Sequence, residues 1–240
     1  MKIIDAFWDT RNLGVRCAEL VFSVGESIPA SNDLKTALAG YEYIAAKVPA
    51  GNTEIADFLQ REGFTFAECS IGFEHDLGSI GDDELASRQM RMTHRLARDG
   101  EEEYILGRIE QGLFCTDRIY LDPFFGHELA ARRYVEWLKD ELARGAQLYD
   151  VFFDNAKVGF FSYKEIEEGV SYPFLIGLYP ENRGRHLSAN LVSESLLLSR
   201  ERGCHLSRTV VSSNNIAIIK AQEAAGSRIY RIHYVLTKHQ

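Results

Sequence analysis

The sequence predicts an α/β protein: a mixed, mostly antiparallel central sheet with helices on both faces, preceded by a smaller α/β unit. Three observations carry this prediction. From about Glu101 the apolar periodicities run helix, helix, three strands, helix, strand, helix, strand, which is a meander feeding two βα units. The residues before that point alternate helix and strand signals on their own. With 240 residues, 45% of them hydrophobic, the chain can bury a substantial core as one large or two small domains.

Residues 1–75 form the first unit. Leu34, Leu38, Tyr41, Ala45 and Val48 recur at steps of 4, 3, 4 and 3, which predicts one amphipathic helix capped by Asn32 or Asp33. Pro49-Ala50-Gly51 breaks the chain, Asn52 or Thr53 caps a second helix, and Gly63 ends it. The following run, FTFAECSIGF, has β composition, with Thr65, Ala67, Cys69, Ile71 and Phe73 on one face. Residues 76–100 are polar, charged and glycine-bearing, and read as a linker with a short helix in its middle.

Residues 101–240 form the second unit. Glu101-Glu102-Glu103 suit a helix N-terminus, and a second helix spans about His127 to Ala143, with Tyr134 and Trp137 inward. Those two aromatics read as core more readily than as site. LYDVFF and VGFFSY flank Asp154-Asn155, a hairpin signal, and the chain then turns into a strand at Phe174. Arg183-Gly184-Arg185 opens a helix that Gly203 ends; HLSRTVV is a strand, Asn215 caps a last helix stopped by Gly226, and RIYRIHYVLT closes the sheet.

The stretch FLIGLYPENRGRHLS, 174–188, presents a strand, a Pro180 stop and a helix start, and so a set of free amides suited to phosphate. Its order from Leu178 through Pro180, Arg183, Gly184 and Leu187 resembles the acetyl-CoA loop of the GNAT acetyltransferase superfamily, V-x-P-x-x-R-G-x-G-x-G/A. His186 and Ser188 stand where that family has Gly and Gly or Ala. Asn215 and Gly226 fit a second family signature, with Ile218 and Gln222 in place of its Ala and Tyr. The resemblance covers residues 101–240 with the elements in order, and implies a GNAT fold. Asn52 and Gly63 are spaced eleven apart, as Asn215 and Gly226 are, so the first unit reads either as a truncated GNAT-like copy or as an unrelated capped helix of equal length.

The FWDTRNLGV opening and the segment DRIYLDPFFGHELAARRYVEW are similar to GNAT enzymes of the dTDP-fucosamine N-acetyltransferase type. That resemblance implies acetyl-CoA as co-substrate and a nucleotide-linked amino-dideoxy sugar as acceptor, acetylated by direct attack of its amine on the thioester. It further implies that Ile176, Leu178, Arg183, Gly184, Arg185, His186, Leu187, Ser188 and Asn215 bind acetyl-CoA, and that Arg118, Tyr120 and Phe125 bind the acceptor. Gln222 has no proton to donate to a departing thiolate near neutral pH. Tyr230 and Ser213 are the substitute acids, though both also read as structural. The base is open between Asp154, Tyr179 and a carboxylate of the pocket. Other acceptors, such as an amino acid, antibiotic or peptide, and a degenerate acyl-CoA-binding module stay as alternatives.

Composition narrows the field. A net charge of −8 and a pI near 5.4 argue against nucleic acid. No apolar run approaches the ~18 residues of a membrane span, and Met1-Lys2 leads into IIDAFWDT with no signal core, so a cytoplasmic protein is expected. Cys17, Cys69, Cys115 and Cys204 are far apart and expected to be reduced; the seven histidines form no metal spacing. A homodimer is admitted as an assembly.

Overall fold

The computed structural model describes residues 1–80, 91–98 and 100–240. Its strands are β1 (Lys2–Asp5), β2 (Cys17–Val21), β3 (Tyr43–Pro49), β4 (Thr65–Asp76), β5 (Met92–Leu96) and β6 (Gln147–Phe153), then β7 (Ala156–Tyr163), β8 (Glu165–Glu167), β9 (Val170–Ser171), β10 (Ile176–Leu178), β11 (Leu206–Ser212) and β12 (Arg228–His239). Helices are α1 (Phe7–Leu13), α2 (Ser31–Ala37), α3 (Thr53–Arg61), α4 (Glu101–Glu110), α5 (His127–Ala143), α6 (Ser188–Glu201) and α7 (Ile216–Ala224). The strands form two sheets, ordered β1-β2-β3-β12-β4-β11-β9-β8 and β10-β7-β6-β5. Pairing is antiparallel apart from β2 with β3 and β9 with β11. The expected mixed, mostly antiparallel sheet with helices on both faces is present.

Strand alternation explains the two-sided cover. Ile44, Ala46 and Val48 of β3, with Leu20 and Leu236, pack under Leu34 of α2 and Ile55 and Leu59 of α3. The intervening Tyr43 and Ala45 face the other way, against Leu13 of α1 and Phe125 and Ala130 near the start of α5. The small sheet is likewise covered twice. Phe160 packs under Ile105, Ile109 and Leu138 of α4 and α5, while Phe161 faces Leu191 and Leu198 of α6.

The last strand lies between β3 and β4, with Tyr234 opposite Val48 on one side and Cys69 on the other. Strands from residues 2–76 and from residues 206–239 thus share one sheet.

Three local expectations need correction. The run 34–48 is a short helix followed by β3. Gly40, at φ +86°, breaks the helix, and Tyr43–Pro49 is apolar on both faces because both are covered, so its run of apolar residues imitated helical spacing. Residues 92–96, expected as linker, are β5, which closes the edge of the small sheet against β6. The short helix expected in the middle of 76–100 lies outside the described residues. The helix expected to open at Arg183 starts at Ser188. A single 3₁₀ turn, Pro180–Asn182, comes first, and Gly184 and His186 at φ +76° and +57° keep the chain out of the right-handed helix until then. Among the described residues no helix is long and apolar enough to cross a membrane.

Candidate active site

The site begins where the two sheets part. β9 pairs with β11 in the large sheet, but residues 172–175 carry the chain across to the small sheet, where β10 pairs with β7. Thr209 Oγ1 donates to the Pro173 carbonyl at 2.9 Å and pins the crossing. Beyond it β10 and β11 belong to different sheets, and the space between them is open.

The register of β10 decides which backbone groups face that space. The Ser162 amide donates to the Leu175 carbonyl and the Tyr179 amide to the Val158 carbonyl, so residues 175, 177 and 179 point at β7. Ile176 and Leu178 therefore direct their amides and carbonyls to the other edge, which is the end of the sheet. Gly177 is required because a Cβ there would lie 2.6 Å from the Phe160 ring.

Alongside runs a groove of about 430 Å³ lined by Leu113, Phe114, Ile176, Leu178, Ser188 and Ile218, with Arg183 and Gly184 at one end. The Arg183 guanidinium donates to the Leu113 carbonyl at 3.3 Å and Arg185 to Asn182 Oδ1 at 2.7 Å, which hold the loop in place. Among the described residues the amides of Gly184, Arg185, His186 and Leu187 make no backbone hydrogen bond. They precede the α6 N-terminus, whose first amides are free by helix geometry. A Cβ on Gly184 would meet nothing within 4 Å, so the loop is open to a bulky anion.

Phe114, Thr116, Ile176, Asn215 and Ile218 also line a second cavity, of about 290 Å³. Its floor is one face of the large sheet: Lys47 of β3, Val235 of β12, Glu68 and Ser70 of β4, and Val210 and Ser212 of β11. Arg118, Arg133, Tyr134 and Trp137 cover it from the α5 side, and Gln222 of α7 closes it at the other. Glu68 is 6% exposed and accepts from the Ser212 hydroxyl, which also reaches the Thr116 carbonyl at 3.3 Å. Burial raises the Glu68 carboxyl above its usual range and outweighs Arg118 and Ser212, which pull it down. Arg118 is ringed by Asp9, Glu68 and Asp117; these carboxylates and Tyr43 outweigh the burial that opposes its charge and keep it protonated. Arg133 holds Asp9 at 2.6 Å and Asp117 at 3.4 Å.

The fold that positions these features is shared with known structures. A GCN5-related N-acetyltransferase from Sphaerobacter thermophilus superposes with a TM-score of 0.61 at 14% identity, over 82% of this chain and 59% of that one. The chain has the GNAT fold. It spans 59% of the length of that relative. A tandem GNAT protein from the clavulanic acid biosynthesis pathway matches at TM-score 0.59 and 16% identity, over 94% of this chain and 76% of its own. A GCN5-related N-acetyltransferase from Kribbella flavida matches at 0.55 and 13%, over 93% and 81%. No family model and no curated protein matches the sequence.

Within the GNAT fold the residues singled out by sequence separate into two sets. Ile176, Leu178, Arg183, Gly184, Ser188 and Asn215 all line the groove, and Arg185, His186 and Leu187 complete its loop. Asn215 also caps α7, its Oδ1 accepting from the Ile218 amide at 3.2 Å. Arg118 lines the inner cavity. Tyr120 does not: its ring stacks on His127 at 4.1 Å. Phe125 is buried against Tyr43 at 4.9 Å as part of the α5 core and also misses the cavity.

The substitute acids fall outside both cavities. Ser213 Oγ accepts from the Cys69 amide and ties the end of β11 to β4. Tyr230, at a bulge of β12, lies over Gly72 between Arg208 and Arg231; Gly72 shares its sheet face with Glu68 and Ser70, so the ring is on the cavity face but beyond the cavity lining. Asp154 pairs with Arg91 at the hairpin and Tyr179 is buried beside Tyr104 and Phe160. Gln222 does line the cavity, 3% exposed, with its Oε1 accepting from Ser227 at 2.8 Å.

Glu68 was missed. Its signal was present, as an acid inside the apolar run FTFAECSIGF on the face opposite the one credited. Tyr134 and Trp137 serve both purposes, packing on Phe114 and Phe174 while facing the cavity. Among the described residues no group of three His, Cys, Asp or Glu could hold a metal.

Proposed function

We propose that this chain is an acetyl-CoA-dependent N-acetyltransferase that passes the acetyl group directly to an amine. One observation carries the reading: a groove edged by free amides and by the open side of β10 abuts a cavity that holds a buried carboxylate. The amides of Gly184 to Leu187 and the α6 end suit a pyrophosphate. The outward groups of Ile176 and Leu178 suit the amides of a pantetheine arm, and the junction at Thr116, Asn215 and Ile218 is where a thioester would meet an amine. Glu68, steadied by Ser212, takes the proton of the incoming ammonium so that the nitrogen lone pair is free to attack. No covalent enzyme intermediate is needed, and Gln222 leaves the thiolate to depart unassisted, which a thiol of pKa about 8.5 tolerates.

The finer acceptor reading, a nucleotide-linked amino-dideoxy sugar, is supported by Arg118 in the cavity and by the aromatic faces of Tyr134 and Trp137. A second reading, a small amine without a nucleotide, is favoured by the three carboxylates around Arg118, which leave a phosphate little positive charge to meet. Thiol release from acetyl-CoA with a panel of amines tests the activity. Arg118→Ala tests the acceptor: raised KM for a nucleotide sugar amine with KM for acetyl-CoA unmoved supports the nucleotide, and equal use of the nucleotide-free amine rejects it. Acetyl-CoA bound without thiol release from any amine would instead favour a binding module.

A further inference from the structure

We infer that the acceptor is an elongated amine whose tail, carrying no net negative charge, lies in an outer cavity between α1 and α5. The inference rests on the acetyltransferase reading and adds the substrate class. This outer cavity, of about 360 Å³, is lined by Phe7, Trp8 and Asn12 of α1 and by Trp137, Asp140 and Arg144 on the α5 side. It shares Lys47, Arg118, Arg133 and Trp137 with the inner cavity, and shares none of its lining with the groove. The inner cavity therefore borders both other spaces, and with a co-substrate in the groove the outer cavity is the space into which an acceptor held in the inner cavity extends.

The inner cavity's contact with both other spaces fixes the orientation of the acceptor. Ser212 links Glu68 to Thr116, which borders the groove, so the reacting nitrogen lies at that end. Arg118 and Arg133 stand at the other end, and whatever is bonded to the amine continues past them.

Charge then selects the tail. The outer cavity is bordered by Asp9, Glu19, Asp140 and Glu141 and by Lys47, Arg118, Arg133 and Arg144, four of each sign. Each of the four cations already has a carboxylate: Lys47 with Glu19 at 2.7 Å, Arg118 with Asp9 at 3.5 Å, Arg133 with Asp9 at 2.6 Å and Arg144 with Glu141 at 3.7 Å. A phosphate entering there would have to displace a carboxylate from its partner. A neutral polar tail needs only the rings of Trp8 and Trp137 and the rim.

The test is a ladder of primary amines from ethanolamine to long amino alcohols, with a parallel set ending in phosphate, assayed by thiol release. KM should fall by about tenfold along the hydroxyl series, a gain of ~1.4 kcal/mol, and the phosphate series should not share the gain. The double variant Phe7→Ala/Trp8→Ala removes the aromatic rim, and Arg144→Trp, at an exposed position that folding tolerates, narrows the mouth; both should flatten the series. A KM independent of length, a preference for the phosphate series, or a length gain that survives both variants overturns the inference while leaving the acetyltransferase reading standing. No thiol release from any amine overturns both.

Discussion

Gly184 and His186 are where the account can be tested one residue at a time. Gly184 holds φ +76°, which proline's ring forbids, so Gly184→Pro should abolish acetyl-CoA binding by calorimetry. Arg183 at its side is extended, with ψ 153°, and so tolerates a following proline; the damage comes from Gly184 itself. The family's usual glycine at the position of His186 has a physical reason, since His186 sits at φ +57° where a side chain costs ~1–2 kcal/mol. His186→Gly is expected to retain acetyl-CoA affinity and to raise stability by roughly 0.5–1 kcal/mol in urea unfolding, less than the full strain because glycine gains unfolded entropy.

Glu68 gives a prediction with a sign. Its folded pKa is raised, chiefly by burial, so its stabilising contribution is complete below the unfolded value and is lost as pH rises through the folded one. Around it stand Asp117, Arg118, Arg133, Tyr134, Ser212 and Cys69. Glu68→Gln should thus be no less stable than the wild type at pH 7 and should lose that advantage near pH 4. If Glu68 accepts the amine's proton, the same variant lowers kcat by about 10²-fold and erases the acid limb of the rate profile. A stable variant with an unchanged profile rejects the role. The groove residues were legible in sequence because loop chemistry is local. Glu68 was visible only as an acid in an apolar strand, because its meaning depends on β11, more than a hundred residues on, and on α5, about sixty residues on, packing around it.

At the scale of elements, the hairpin and the β10 edge differ in how the sequence reveals them. Asp154 and Asn155, at φ 50° and 65°, form the turn that their types announce, and Asn155→Val should cost about 1–2 kcal/mol in urea unfolding by forcing a β-branched residue into the left-handed region. An unchanged midpoint would show that the turn does not hold those angles in solution. β3 and β5 were misread for opposite reasons. β3 is buried on both faces, which erases the alternation a strand usually shows, and β5 is an edge strand whose polar His94 and Arg95 are satisfied by Glu194 and Glu101. In both cases the missing information was the partner, which no local window contains.

The whole molecule is organised by β12, which joins the first and last parts of the chain in one sheet. Leu236 of β12 is fully buried among Leu20, Ile44 and Leu59 from the first seventy-six residues. Leu236→Ala should therefore cost about 2–5 kcal/mol and shift a single unfolding transition; two separate transitions would contradict the shared core. That sharing was invisible in sequence, where the two segments read as separate units. The same sheet face carries Lys47, Glu68, Ser212 and Val235 into one cavity, so the proposed active site depends on the insertion of β12. The measurement that bears most directly on the proposed chemistry is calorimetric titration of acetyl-CoA into the wild type and Gly184→Pro, with circular dichroism to verify folding. One-site binding to the wild type and none to the folded variant is the predicted result; equal affinity in both, or no binding to the wild type, would contradict it.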